Sequence, residues 1–305
     1  MAVRVGSDIQ FDRRQMIGWG PSGTVVLRGS FKGGQQPVAV KRFITKQLRW
    51  NANEFQLYRN EHHANILRIH HLECDHLSGF TYFALELGTC NLAGYLAGKY
   101  RGPPLSAHTI LLQISQGLQH LHSLGVIHRG LKPNNVLICT ETQTNPQLVK
   151  QVQIKLSDFG VMAGSSSGDS WPCSDRDSVE GWLAPEQIKT LGLSTRAVTT
   201  TTAEAGSTLQ RQKSGAQLQL LTPAVDVFAL GCLFFCVLTS GQHPFGSPSY
   251  FRDQRALACQ YELAPLSLQL PPAAILIERM IQRDPDYRPT IDNVLAQSNF
   301  WSLDI

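Results

Sequence analysis

No apolar run in this chain approaches the ~18 residues that a helix needs to cross a bilayer. The opening Met1-Ala2-Val3-Arg4 also lacks the apolar core of a secretory leader. No membrane segment is expected, and the expected location is the cytoplasm. Disulfide logic is missing too: seven cysteines, an odd number without paired spacing, fit a reducing compartment. Charge is thin, with 27 Lys+Arg against 23 Asp+Glu and a formal net charge of +4. The basic residues are scattered, which argues against nucleic acid as a partner. His62, His63, His70, His71, Cys74 and His76 match no common zinc spacing.

The 305 residues, 42% of them apolar, are enough for the core of one two-lobed domain and leave no room for a second large module. Alternation with Gly and Pro punctuation over 15–40 predicts the first strands of a small antiparallel sheet. A short helix over 53–61 and strands over 66–72 and 81–87 come next. From Ser106 the pattern turns helical. Ile110, Leu111, Ile114, Leu118 and Leu121 recur every three or four residues, with Ser106 placed to cap them. Residues 224–238 are apolar nearly all round, as in a helix buried inside a lobe, with Cys232 and Cys236 as small apolar residues on one face. Segments 275–281 and 291–295 supply the last helices. Residues 165–178 and about 190–221 lack a period and read as solvated loops.

Five short motifs then occur in order. Gly18-Trp19-Gly20-Pro21-Ser22-Gly23 is a glycine-rich turn of a form that several nucleotide folds share, and it is weak alone. Val38-Ala39-Val40-Lys41 places a lysine on a β-branched stretch. His128-Arg129-Gly130-Leu131-Lys132-Pro133-Asn134-Asn135, Asp158-Phe159-Gly160 and Ala184-Pro185-Glu186 complete the set. Together they resemble the protein kinase fold, an α+β, bilobal architecture with a small mainly antiparallel β lobe and a larger helical lobe. The resemblance implies one domain over 11–301, with lobes at 11–87 and 88–301. Glu54-Phe55-Gln56-Leu57, Leu121-His122-Ser123-Leu124, Glu180-Gly181-Trp182-Leu183 and Gly241-Gln242-His243-Pro244-Phe245-Gly246 narrow it. They are similar to the endoplasmic-reticulum stress-sensor kinase/endoribonuclease family of the inositol-requiring type, related to ribonuclease L. Phe300-Trp301-Ser302-Leu303 resembles the point where that family passes into its ribonuclease module. Relatives carry a sensor domain and a membrane span ahead of the kinase, so this chain is expected to be a naturally short protein or an excised domain without RNA cleavage of its own.

The resemblance implies roles for particular residues. Gly18, Gly20 and Gly23 let backbone N–H groups approach ATP or ADP phosphates, with Val26 and Ala39 over the base. Lys41 meets the α- and β-phosphates, and Glu54 holds Lys41. Leu85 lies at the back of the pocket, while Glu86 and Gly88 offer backbone groups to the adenine edge. Asn135 and Asp158 are hard oxygen donors for Mg²⁺. Lys132 is counted with the catalytic residues. Glu186 with Arg288, and Asp226 under the catalytic loop, are expected as structural supports. A homodimer is the implied partner arrangement.

Gly130 stands where the family carries the aspartate that accepts the substrate proton. Val179 stands where Ser/Thr kinases usually have the threonine that bonds that aspartate. Two members of one hydrogen-bond network are thus absent together. The expected function is a nucleotide-binding, stress-sensor-type kinase-like domain with little phosphotransfer, acting through conformation or dimerisation. The alternative is a working Ser/Thr kinase with a substitute base such as Asp169, Asp175 or Asp177.

Overall fold

A computed structural model describes residues 2–20, 23–47, 62–140, 152–158, 180–190, 221–303 and 305. Its larger sheet has six antiparallel strands in the order β1-β2-β3-β4-β6-β5. These are β1 (Ala2–Val5), β2 (Ile9–Trp19), β3 (Val25–Phe31), β4 (Gln36–Ile44), β5 (Ile69–Asp75) and β6 (Phe80–Glu86). One face of this sheet buries Val5, Ile9, Phe11, Leu27, Phe31, Val38, Val40, Tyr82 and Ala84 as a cluster of its own. Gly29 is needed where β2 and β4 flank β3, because a Cβ there would sit 2.4 Å from the Gln10 carbonyl oxygen.

The sheet starts earlier than the lobe boundary expected at residue 11, which falls inside β2. β1 pairs Val3 with Phe11 and Val5 with Ile9. Its four residues are too short to show a period, so no sequence pattern announces it. The two strands expected over 66–72 and 81–87 appear as β5 and β6, shifted by one to three residues at their ends. The helix expected over 53–61, the loop at 165–178 and most of the stretch 190–221 lie outside the described residues.

A second sheet of three strands, β7 (Cys90–Asn91), β8 (Val136–Thr140) and β9 (Val152–Leu156), lies on the larger, helical part. The helices are α1 (Leu92–Leu96), α2 (Ala107–Ser123), α3 (Pro185–Thr190), α4 (Ala224–Leu238), α5 (Arg252–Leu257), α6 (Ala264–Ser267), α7 (Pro271–Met280), α8 (Ile291–Leu295) and α9 (Ser298–Trp301). Ser106 caps α2 as the sequence suggests, its Oγ accepting the Thr109 N–H. The face of Ile110, Leu111, Ile114, Leu118 and Leu121 is fully buried. α4 is buried all the way from Val225 to Cys236, so it forms the centre against which the other helices lie.

Helix α2 also fixes the strands that carry the site. Gln113 Oε1 accepts the Ile154 N–H at 2.8 Å, and Asn65 Nδ2 donates to Gln113 Oε1 and to the Ile154 carbonyl. Gly117 permits this contact, since a Cβ would come within 2.7 Å of the Asn65 oxygen. The core that contains α2 and α4 continues into Phe43, Ile69 and Phe83 of the six-stranded sheet.

One buried ion pair ties α3 to the chain after α7. Arg288 donates to both Glu186 oxygens, at 2.6 and 2.8 Å, and its remaining N–H groups go to the carbonyls of Gln282, Ala224 and Arg283. The guanidinium also lies over the Phe228 ring. Every donor is met, which is the condition for such a pair to be tolerated without water. Truncating one partner strands the other charge. Glu186→Ala should therefore lower stability by about 3–5 kcal/mol in urea titration, with the slope against denaturant unchanged.

Candidate nucleotide site

The glycine-rich turn joins β2 to β3. Gly20 N–H donates to the Thr24 carbonyl at 2.9 Å. Gly23 has φ +75°, a left-handed conformation that glycine adopts without strain. Gly18 and Gly20 are different. A Cβ on them would meet Val26 and Thr24 at ordinary van der Waals distance. Packing within the chain therefore does not require glycine at 18 or 20. What glycine supplies there is uncovered backbone, as a phosphate-binding turn needs.

The strand register places the other candidates. Val26 lies opposite both Gly18 and Lys41, Ala39 opposite Leu85, and Glu86 opposite Val38. Gly88 lies just beyond β6, where a Cβ would begin 3.4 Å from Leu137 Cβ. Leu137 belongs with these residues, and motif reading did not single it out. Val136 and Ile138 on either side of it are fully buried and Leu137 is not, a difference that the unbroken apolar run Val136-Leu137-Ile138-Cys139 does not show in sequence.

Lys41 is buried and its Nζ lies 2.5 Å from Asp158 Oδ1. It also sits 5.1 Å from the centre of the Phe43 ring. Glu54, its expected partner, is outside the described residues. Burial pushes the Asp158 carboxyl up, but the Lys41 charge and hydrogen bond, with Lys132 and His128 behind them, hold it below the usual carboxylate range. Asp158 has φ +61°, an uncommon conformation for a non-glycine residue and one found at functional positions.

The loop 128–135 is held from below by Asp226 on α4. Its Oδ2 accepts the His128 N–H and its Oδ1 the Arg129 N–H, both at 2.7 Å, and His122 Nε2 lies 2.9 Å from Oδ2. Arg129 takes φ +64°, so the left-handed residue of this loop is Arg129 and not Gly130. The Gly130 carbonyl accepts Asn135 Nδ2 at 2.8 Å. That leaves Asn135 Oδ1 as the acceptor of the amide. The Asn135 carbonyl in turn takes the Ser157 N–H and hydroxyl, linking the loop to Asp158 next door. Lys41, Lys132, Asn135 and Asp158 are thus brought together. Gly130 contributes backbone only. His128 is fully buried, and burial lowers the affinity of its ring for a proton, with Asp226 opposing. It packs the loop.

Val179, Asp169, Asp175, Asp177, Phe159 and Gly160 lie outside the described residues. The chain from Glu180 onward is anchored through Gly181, whose N–H donates to Asp253 Oδ1 at 2.8 Å at φ +81°. Burial raises the Asp253 carboxyl from the ordinary 3.8 to about 6, with the Gly181 bond opposing and Glu180 adding to the rise. A carboxyl of raised pKa binds its proton more tightly in the folded protein. Its stabilising contribution is full below about pH 4 and is lost as pH rises through about 6. Asp253→Asn keeps an acceptor for Gly181 and removes the ionisation. The variant should melt with wild type at pH 4 and be about 1–2 kcal/mol more stable at pH 8, after allowance for partial exposure.

The sequence pattern of the family described as protein kinase domain matches residues 11–202. The Caenorhabditis elegans serine/threonine-protein kinase/endoribonuclease ire-1 is 32% identical over 98% of this chain and 28% of that protein. The Homo sapiens serine/threonine-protein kinase/endoribonuclease IRE2 is 33% identical over 98% of the chain and 29% of its own length. The Schizosaccharomyces pombe sensor for unfolded proteins in the ER, ire1, is 33% identical over 94% and 26%. The chain thus spans under a third of the length of these relatives. Among solved structures, Rad53 residues 1–466 in complex with AMP-PNP superposes with a TM-score of 0.65 at 22% identity, covering 97% of this chain and 66% of that solved chain. No helix of the described residues is long and apolar enough to cross a membrane. With that match over more than half its length, the chain belongs to the protein kinase domain family.

Proposed function

We propose that this domain, over residues 11–301, binds ATP or ADP with Mg²⁺ and is nearly inactive in phosphotransfer, so that its conformation or self-association is its output. The observation that carries the reading is Gly130 inside a loop that is otherwise fully supported. Asp226 still holds the two preceding N–H groups, and Asn135 still bonds the carbonyl of residue 130. The scaffold for the missing carboxylate persists without the carboxylate.

The residues fit the nucleotide and its metal. Asp158, in contact with Lys41, and the Asn135 amide oxygen are hard donors of the kind that Mg²⁺ takes. Mg²⁺ supplies charge neutralisation on the phosphates when bound. Lys41 balances phosphate charge, Gly18 and Gly20 leave no side chain between the phosphates and the backbone of the turn, and the backbone of Glu86 and Gly88 meets the base. Lys132 places a second cation near Asp158, whose carboxyl it helps hold ionised. With no proton acceptor at 130, the substrate hydroxyl loses assistance typically worth about 10²–10⁴-fold. By likeness to the kinase/endoribonuclease relatives, the domain acts in the cytosol as a homodimer in the response to unfolded protein.

ATP with Mg²⁺ should raise the melting temperature in a thermal-shift assay. Lys41→Ala should abolish the rise, and chelating the metal should reduce it. A flat response at millimolar nucleotide would sink the nucleotide reading.

Autophosphorylation measured with radiolabelled ATP tests the other half. Wild type should be close to background. Gly130→Asp should recover part of the rate, and adding Val179→Thr should give more than the sum of the single free-energy changes, because the two side chains belong to one network. Wild-type turnover equal to that of the double variant would instead establish a working Ser/Thr kinase with a substitute base.

A further inference from the structure

An ion pair that no motif announces joins the end of β6 to the second sheet. Lys155 Nζ on β9 lies 3.1 Å from Glu86 Oε2. The Lys155 side chain is 9% exposed and that of Glu86 27%. Lys155 is flanked by the fully buried Ile154 and Leu156, where an apolar residue would fill the volume with no charge to solvate. An ammonium in that place is tolerated only if its partner is held where the pair needs it.

Glu86 is so held. Its N–H donates to the Arg68 carbonyl at 2.9 Å, and the Arg68 N–H reaches Glu86 Oε2 at 3.4 Å. Lys155 in turn lies opposite Leu137 in the β8–β9 register, and Leu137 is the residue beneath Gly88. The side chain of Glu86, its peptide and the floor under Gly88 are thus fixed by one short chain of contacts.

We propose that Lys155 is a positioning residue for a 6-aminopurine base: by holding the Glu86 carboxylate it orients the 86–88 backbone that meets the edge of the base. This rests on the proposed binding of nucleotide. The chemistry selects an exocyclic amine as donor to a backbone carbonyl, so inosine nucleotide, with a keto oxygen at that place, is the contrasting probe.

Calorimetric titration of the 305-residue chain with ATP and with ITP, both with Mg²⁺, tests it. Wild type should prefer ATP. Lys155→Met should reduce the ATP-over-ITP affinity ratio by about three- to tenfold, the worth of one neutral hydrogen bond, with ITP affinity little changed. Lys155→Arg should keep the ratio. If Lys155→Met does not fold, Glu86→Gln reads the same ratio, since it removes the charge and keeps the shape. An unchanged ratio, or equal weakening of both nucleotides, overturns the proposal while leaving nucleotide binding in place. Binding of neither nucleotide by wild type sinks the nucleotide reading itself, and the role of Lys155 with it.

Discussion

A single buried carboxylate sets the geometry on which the site depends. Asp226 is 1% exposed, and taking its charge out of water is costly unless its oxygens are met by donors. They are met by two consecutive backbone N–H groups, with His122 alongside. Two adjacent amides can point at one carboxylate only if the chain turns sharply as it leaves them. The positive φ of Arg129 is that turn. It aims the Gly130 carbonyl at Asn135, and the Asn135 carbonyl at Ser157, so that Asp158 is placed by a relay that begins on α4. Because α4 is buried along nearly its whole length, the anchor is set in the middle of the core.

This relay uses backbone atoms of residue 130 and not its side chain. Structure and chemistry are therefore separable at that position. A kinase loop that depended on its aspartate for shape would collapse when the aspartate became glycine. Here Gly130 takes no left-handed backbone angle and keeps its carbonyl bonded. The ion pair of Glu186 and Arg288 works in the same way one layer down, holding the start of α3 through side chains that touch no reacting group.

The fold was largely legible where local pattern and tertiary burial agree. α2 announced itself by its period and its Ser106 cap, and α4 by apolar residues on every face. β1 was not legible, since four residues carry no period and gain strand structure only from pairing with β2. For the candidate site the ordered motifs single out Lys41, Asn135 and Asp158, and in the structure Lys41 meets Asp158 while Asn135 is bonded to the segment that carries it. The Lys41 pairing with Asp158 was not foreseen, because motif logic assigns that lysine to Glu54. Leu137 and the Lys155–Glu86 pair escaped for another reason. Each depends on which strand lies beside which, and sequence spacing does not show that.

Ground-state binding and turnover draw on different members of this site. The groups that would meet a nucleotide (Lys41, Asp158, Asn135 and the uncovered backbone at Gly18 and Gly20) act on phosphates before any bond is broken. A proton acceptor at 130 would act only as the substrate hydroxyl begins to attack. Interactions made equally in ground and transition states set affinity, and those made only in the transition state set rate. On the proposed reading Gly130 removes the second kind and leaves the first, so that the domain would hold its ligand and do little to it. The Lys41–Asp158 pair belongs to the first kind: its two charges match each other across the site, and they are the groups that the proposed nucleotide and metal would engage.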